Sequence, residues 1–314
     1  MKICFGASMS GRPSHGHWTP SGHVGSVGPS PEYRRNLYRW LSKHGFDGIE
    51  ANFSWWNPYR ATTEELVSLR NEMKEYGLEL AGFNALRHNL SVPVCAASNK
   101  ADLLHMVEIS KPVAPVVIDV SLSLPETEVR GMPESGIAAG KIATEEDYEK
   151  SAEALIEIAR KAQPAGIEIA VELHHCGITD TSTRLLKLLE MINEPNVSAN
   201  PDLGNLMWGY AEPEEPWYEA IKNLAGHVKL WHVKNVQLVQ VPEIQRSYWV
   251  HAGLGEGDID YRWSLGRLME KGFDGWISIE SSGPGDLLAF VGRGIDYLRE
   301  LLEEQKQGIG LLVQ

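Results

Sequence analysis

Tyr148-Glu149-Lys150-Ser151-Ala152-Glu153-Ala154-Leu155-Ile156-Glu157-Ile158-Ala159-Arg160-Lys161-Ala162-Gln163-Pro164-Ala165-Gly166-Ile167-Glu168-Ile169-Ala170-Val171-Glu172-Leu173-His174 holds one complete helix-to-strand transition. Tyr148, Ala152, Leu155, Ile156 and Ala159 recur at three- and four-residue intervals, the period of a helix with one apolar stripe. Gly166 closes that helix, since glycine adopts the left-handed backbone of a C-terminal cap without steric cost. From Ile167 to His174 the period falls to two. Ile169, Val171 and Leu173 then share one face, and Ala170, Glu172 and His174 share the other. The apolar face suits a covering layer of helices, and the opposite face carries a carboxylate and an imidazole.

The same grammar repeats in both directions. Tyr33, Leu37, Trp40 and Leu41 mark a helix closed by Gly45 before a strand from Phe46 to Phe53. Leu66, Leu69, Met73 and Tyr76 mark another, closed by Gly77 before Leu78 to Phe83. A helix near Lys100 to Ile109 precedes the strand Pro115 to Val120. Further on, strands are expected at Val197 to Asp202, Val228 to Val233 and Trp276 to Glu280, each after its own helix. With a first strand at Lys2 to Ser8 there are eight strand-helix units, which predicts a parallel sheet closed into a (β/α)8 TIM barrel over residues 1–302, with a tail over 303–314. A doubly wound sheet would want a Gly-x-Gly-x-x-Gly loop after the first strand, and none is present. Two turn-rich stretches, Ser121 to Thr144 and Asn235 to Asp260, follow strands and are expected as lids on the catalytic face. The Ser10 to Pro31 stretch carries His15, His17 and His23 without ligand spacing, and reads as a further flexible lid.

Four successive strand ends offer Glu172, Asp202, His232 and Glu280. Parity puts Ser278 with Glu280 and Asn200 with Asp202 on the inward side, in agreement with the assignment for Glu172. A solitary glutamate at a strand end is an ordinary rim residue. Three carboxylates and an imidazole converging in one partly desolvated mouth need a cation. Oxygen and nitrogen donors without a thiolate suit one divalent ion, Mn²⁺ in first place, with Mg²⁺, Co²⁺ and Zn²⁺ as alternatives.

The segments Val171-Glu172-Leu173-His174, Asn196-Val197-Ser198-Ala199-Asn200-Pro201-Asp202-Leu203-Gly204-Asn205, Val228-Lys229-Leu230-Trp231-His232-Val233-Lys234-Asn235 and Gly272-Phe273-Asp274-Gly275-Trp276-Ile277-Ser278-Ile279-Glu280 resemble the xylose-isomerase-like superfamily of sugar isomerases and epimerases. The resemblance implies that Glu172, Asp202, His232 and Glu280 bind one divalent metal. Glu172 and Glu280, reaching in from strands on different sides of a ligand, are also the candidates for catalytic base and acid. The chain departs from many members at Asn205, where they carry His, and at Asn235, where they carry Asp; neither position belongs to the ligand set.

Substrate contacts are expected from residues that share the mouth. Glu50 ends a short apolar segment, His88 follows the third strand, and His174 has the inward parity that His175 lacks. Asn205 lies three residues beyond Asp202. Lys234 shares parity with His232 and suits a substrate oxygen or a rim carboxylate. Arg246 is the best-placed positive charge of the second lid. Trp18, Trp55, Trp56, Trp208 and Trp249 fall in expected loops of the same face, where flat rings suit sugars, although packing is the safer reading for each alone.

The charge balance narrows the partners. Lys and Arg number 29 against 42 Asp and Glu, a formal net charge of -13, which repels nucleic acid and anionic membrane. No basic patch offsets it and no apolar run approaches a membrane span. Three dispersed cysteines, Cys4, Cys95 and Cys176, and a start without an apolar signal core suggest a cytoplasmic protein. The expected partner is a small carbohydrate, and self-association into a homo-oligomer stays open. The expected chemistry is proton removal next to a carbonyl of a sugar or keto-sugar, through an enediolate, giving an isomerase or epimerase. Loss of a β-substituent from the same intermediate would give a lyase or dehydratase, including cleavage of a 3-oxo-glycoside. A metal-dependent endonuclease of the same barrel superfamily and a non-catalytic sugar-binding subunit are weaker alternatives. The first is opposed by the charge, and the second has no use for four converging ligands.

Overall fold

The computed structural model of the chain describes residues 1–7, 29–53, 55–86, 88–123, 139–175, 177–207, 213–244, 246–280 and 286–308. Ten strands occur in them: β1 (Lys2–Gly6), β2 (Gly48–Asn52), β3 (Glu79–Ala85), β4 (Val117–Val120), β5 (Glu168–Glu172), β6 (Val197–Asn200), β7 (Leu230–Val233), β8 (Asn235–Val241), β9 (Arg246–Ala252) and β10 (Trp276–Ile279). Eight of these pair in parallel in the order β6-β5-β4-β3-β2-β1-β10-β7, while β8 and β9 form a separate two-stranded sheet. A parallel bridge from Ala199 to Val228 joins β6 to the run into β7 and brings the two ends of the large sheet together. The result is a TIM barrel, as the eight-fold alternation predicts.

The helices α1 (Pro31–Lys43), α2 (Thr63–Lys74), α3 (Ala96–Ser110), α4 (Glu145–Ala162), α5 (Ser182–Ile192), α6 (Leu203–Leu206), α7 (Trp217–Leu224), α8 (Tyr261–Glu270) and α9 (Leu287–Lys306) connect the strands. Their starts follow from local chemistry. Thr62 and Glu65 form a reciprocal capping box on α2, and Thr144 with Asp147 does the same for α4. Gly166, with φ of 72°, ends the turn after α4 in the left-handed conformation expected from its position. The helix α9 runs to Lys306, four residues beyond the expected barrel boundary, because Leu301 and Leu302 still pack on the core and the helix continues for about one exposed turn. Residues 309–314 lie outside the described residues.

The outward strand residues Ile169, Val171, Ile277 and Ile279 are buried against the helices in one continuous apolar core. Each such side chain contributes ~1.5–3 kcal/mol by leaving water. Stability therefore rests on the layer between strands and helices, which frees the barrel interior for polar groups. Inside, Val117, Ala170 and Leu230 pack with Trp276 as a small apolar floor. Two residues further along each strand, the interior turns polar at Asp119, Glu172, His232 and Ser278.

The second expected lid differs from a turn-rich loop. Asn235 to Ala252 is an antiparallel ribbon with seven rungs, from Asn235↔Ala252 to Val241↔Arg246. Its signal is present in the three valines of residues 236–241 and the β-favouring Tyr248-Trp249-Val250, divided by Pro242. Most of the first expected lid, residues 124–138, and the three loop histidines lie outside the described residues. Trp55 and Trp56 are core residues, 1% and 3% exposed, because the turn after β2 folds back under Tyr38 and Phe83 instead of lining the mouth. Among the described residues no helix is long and apolar enough to cross a membrane.

Candidate metal centre

Four side chains meet where the strands end. Glu172 is the last residue of β5, His232 is inside β7, and Glu280 follows β10, its amide donating to the Val233 carbonyl at 3.2 Å. Asp202 stands two residues beyond β6 and caps α6, its carboxylate accepting from the Gly204 amide at 3.1 Å. One ligand atom from each lies within 4.8 Å of all the others. Two of these residues leave a buried atom without a hydrogen-bond partner, His232 Nδ1 and Glu172 Oε2. An orphaned lone pair on each, among three carboxyl groups, is what a divalent cation would satisfy, so the residues fit such an ion.

The groups behind them fix their orientation. His232 Nε2 lies 2.9 and 3.0 Å from the two oxygens of Glu50, and Ser278 Oγ donates to the same carboxylate at 2.5 Å. With Nε2–H given to Glu50, Nδ1 is left to accept a cation, the usual carboxylate–histidine–metal order. Asn200 accepts from the His232 amide at 2.8 Å and donates to Asp119 at 2.9 Å. Asn205 Nδ2 reaches Glu172 Oε1 at 3.1 Å and Asp202 Oδ2 at 3.0 Å, tying two carboxylates of the set together. Asn84 approaches Glu280 Oε1 at 3.5 Å from β3, and its own Oδ1 is buried without a partner.

Lys234 enters the cage itself. Its ammonium lies 2.6 Å from Asp202 Oδ2 and 3.1 Å from Glu280 Oε2, with the side chain 15% exposed. Gly204 makes the room: a Cβ there would stand 2.5 Å from Lys234 Cγ. Asn235 turns the other way, donating to the Leu254 and Ile259 carbonyls and accepting from the Val236 and Ile259 amides. An aspartate could not make the two donations, which gives the departure at Asn235 a structural reason.

Burial pushes the Asp202 carboxyl up to about 7, against the pull of the Lys234 ammonium. Burial also raises Glu172, with His232 opposing it. Glu280 goes the other way: burial alone would raise it, but Lys234 and His232 outweigh burial and hold it below the usual carboxylate range. His232 is raised because Glu50 and Asp119 outweigh its desolvation. A cation must displace protons from these groups, so its binding is expected to weaken as pH falls through about 7, where Asp202 takes up its proton. Chelator competition with Mn²⁺ at about pH 8 and about pH 6 measures this. The apparent Kd should rise at the lower pH by ~10-fold or more; an unchanged value would contradict the ligand role of Asp202.

Of the expected substrate contacts, Asn205 and Lys234 are in the centre, although both touch the carboxylates that surround it. Glu50 is 2% exposed behind His232, because β2 lies across the barrel from β7 and its inward side chain meets the imidazole. His88 has Nδ1 at 3.0 Å from the Leu86 carbonyl and its ring against Tyr59, while its buried Nε2, 3.6 Å from Asp102, makes no hydrogen bond. His174 is buried and stacks on His175 with ring centres 4.4 Å apart. Arg246 sits on the last rung of the ribbon, opposite Val241 and six residues from the Ala252 rung at its base, and its side chain lies outside the described residues. Reading from sequence missed Asn84 and Asp119. Inward parity in β3 and β4, where the two stand side by side, marks both.

Comparison with known proteins agrees with this architecture. The pattern that defines the Xylose isomerase-like TIM barrel family matches residues 38–301. An inosose dehydratase of Clostridium perfringens is 24% identical over 247 residues, covering 76% of this chain and 78% of that protein. A xylose isomerase-like TIM barrel protein from Mycobacterium smegmatis, solved in complex with magnesium, superposes with a TM-score of 0.76 at 19% identity, over 96% of each chain. A D-allulose 3-epimerase from a Methylomonas species superposes with a TM-score of 0.67 at 15% identity, covering 96% of this chain and 98% of that one.

Proposed function

We propose, from the premise that this chain belongs to the Xylose isomerase-like TIM barrel family, that it is a metal-dependent dehydratase of a small polyhydroxylated ketone. The observation that carries this reading is Lys234, an ammonium set 2.6 and 3.1 Å from two carboxylates of a cation-sized cage that also holds a buried basic carboxylate. The inosose dehydratase relative supports the same reaction class and an inosose-like substrate. Glu172, Asp202, His232 and Glu280 would hold one divalent ion. Mn²⁺ is our first assignment, and the magnesium-bound relative supports Mg²⁺ as well. When bound, the ion would supply Lewis-acid polarisation of the substrate carbonyl.

The chain's own residues divide the remaining work. Glu172, buried at the end of β5, removes the proton from the carbon next to the carbonyl with the carboxylate oxygen that does not hold the ion. Burial, by raising its pKa, makes this carboxylate a stronger base than an exposed one, while Asn205 orients it through Oε1. The electron pair of that C–H bond forms the new C=C bond, and the β-carbon–oxygen bond breaks. Lys234 gives its proton to the departing hydroxide, so that water leaves and an unsaturated ketone remains. Glu172 then returns its proton to solvent and Lys234 regains one, which closes the cycle without any oxidant or reductant.

A second reading rests on a different feature. Glu172 and Glu280 both approach His232 Nδ1 at 3.5 Å, so one glutamate could remove a proton and the other return it to the opposite face. That would be an epimerase. Incubating the Mn²⁺-loaded protein in D₂O with an inosose and with ketohexoses separates the two. Dehydration should yield a product lighter by one water. Epimerisation should return material of unchanged composition, inverted at one carbon and carrying deuterium there. If no substrate loses water or takes up deuterium, both readings fall.

A further inference from the structure

The two nitrogens of His232 face two different sets of carboxylates. Nδ1 lies 3.5 Å from both Glu172 and Glu280, on the side of the metal centre, while Nε2 lies 2.9 and 3.0 Å from the two oxygens of Glu50. Asp119, on β4, completes the second set: one ligand atom each from Glu50, Asp119 and His232 lie within 4.8 Å of one another. Glu50 is 2% exposed and the other two are fully buried, whereas the Glu280 side chain of the first set is 14% exposed. Asn200 donates to Asp119 Oδ1 at 2.9 Å, and Asp119 Oδ2 is buried without a hydrogen-bond partner. Asn84, level with Asp119 in the β3–β4 register, has its Oδ1 in the same condition.

We propose that Glu50, Asp119 and His232 Nε2 form a second, inner position for a divalent cation, separate from the outer set that uses His232 Nδ1. It shares the ring with that centre and does not depend on the reaction class assigned above. The spacing fits an ion. Two ligands ~2.1 Å from one ion stand ~3 Å apart when at right angles, and the Glu50 and His232 donors already stand at that separation. The charge fits as well, because two carboxylates balance one divalent ion, and a buried carboxylate oxygen with no donor is what such an ion satisfies. Ser278 Oγ, donating to Glu50 at 2.5 Å, holds that carboxylate in place. Nitrogen and oxygen donors without a thiolate suit Mn²⁺ or Zn²⁺. The inner position is the weaker of the two, with three donors against four and with the bond between Glu50 and the imidazole lost on binding. Its ion takes the lone pair of Nε2, and the ring proton moves to Nδ1. A neutral imidazole has one lone pair, so each position weakens the other.

Equilibrium dialysis of the full chain against Mn²⁺ tests this without any turnover. Wild type should bind about one ion tightly and, in large metal excess, about two per chain. The second class should be lost in Asp119→Asn, which keeps the size of the side chain and an oxygen for Asn200, while the tight ion stays. Glu50→Gln should lose it too, with the tight ion weakened ~10- to 100-fold because the ring also loses its orienting carboxylate. Ions on the two edges of one imidazole are close enough to couple, so the Mn²⁺ EPR lines of the two-ion form should be broader than those of the one-ion form. Stoichiometry and line width are read on wild type, so a variant that fails to fold leaves the test intact. A second class that survives Asp119→Asn, or that leaves the lines of the first ion unchanged, is surface binding and overturns the inference while the outer centre stands. Saturation of wild type at one ion overturns it as well, and a proton shared by Glu50 and Asp119 then takes the place of the cation. If wild type binds no ion at all, the outer centre and the inner position fall together.

Discussion

Glu172→Gln at full Mn²⁺ occupancy is expected to turn over ~10²–10⁴-fold more slowly than wild type, the usual cost of losing a general base. The substitution keeps the size of the side chain and a coordinating oxygen but removes its basicity. Glu280→Gln should behave differently. Lys234 and His232 hold Glu280 as an anion of low basicity, so its part is to ligate and to orient Lys234. Raising the metal concentration should therefore recover much of its activity. Steady-state rates measured across a Mn²⁺ titration compare the two. Near-normal turnover of metal-saturated Glu172→Gln would show that its carboxylate only binds the ion, and the base would have to be sought elsewhere.

Asp202→Ala and His232→Ala are expected to reduce bound metal from about one ion per chain to nearly none. Each removes one of four donors from a buried cage, and Asp202→Ala also takes away the cap on α6 and the partner of Lys234. Metal analysis after gel filtration reads the stoichiometry directly; full retention by both variants would refute the site. A thermal shift provides an independent measure. An ion that binds only the folded chain stabilises it by ~2.7 kcal/mol at a concentration 100-fold above Kd. That increment should appear on adding Mn²⁺ to wild type and vanish in both variants.

Much of this centre could be read from local sequence pattern. The period-two alternation in β5 and β10 put Glu172 and Glu280 on the face opposite the isoleucines and valines, and the structure buries those apolar residues against the helices. Parity also found Asp202, although it belongs to the turn after β6 and caps α6, and His232 was marked as a ligand type at a strand end. The barrel was legible for the same reason: helix and strand periods, and the glycines that end helices, act over a few residues.

Partners across the barrel were not legible. Glu50 and His232 are 182 residues apart in sequence, and only closure of the sheet brings β2 opposite β7 so that the carboxylate holds the imidazole instead of a substrate. Sequence marked Lys234 as inward but could not choose between substrate and carboxylate; the space left by Gly204 lets it reach Asp202 and Glu280. Residues 235–260 read as a turn-rich lid, and only the pairing from Asn235↔Ala252 to Val241↔Arg246 makes residues 235–252 a ribbon. Alternation within a strand is set by the backbone's own geometry, so the sequence determined which residues point inward. Which inward residues meet depends on sheet closure, ribbon register and the volume of distant side chains, and the tertiary structure alone decided that.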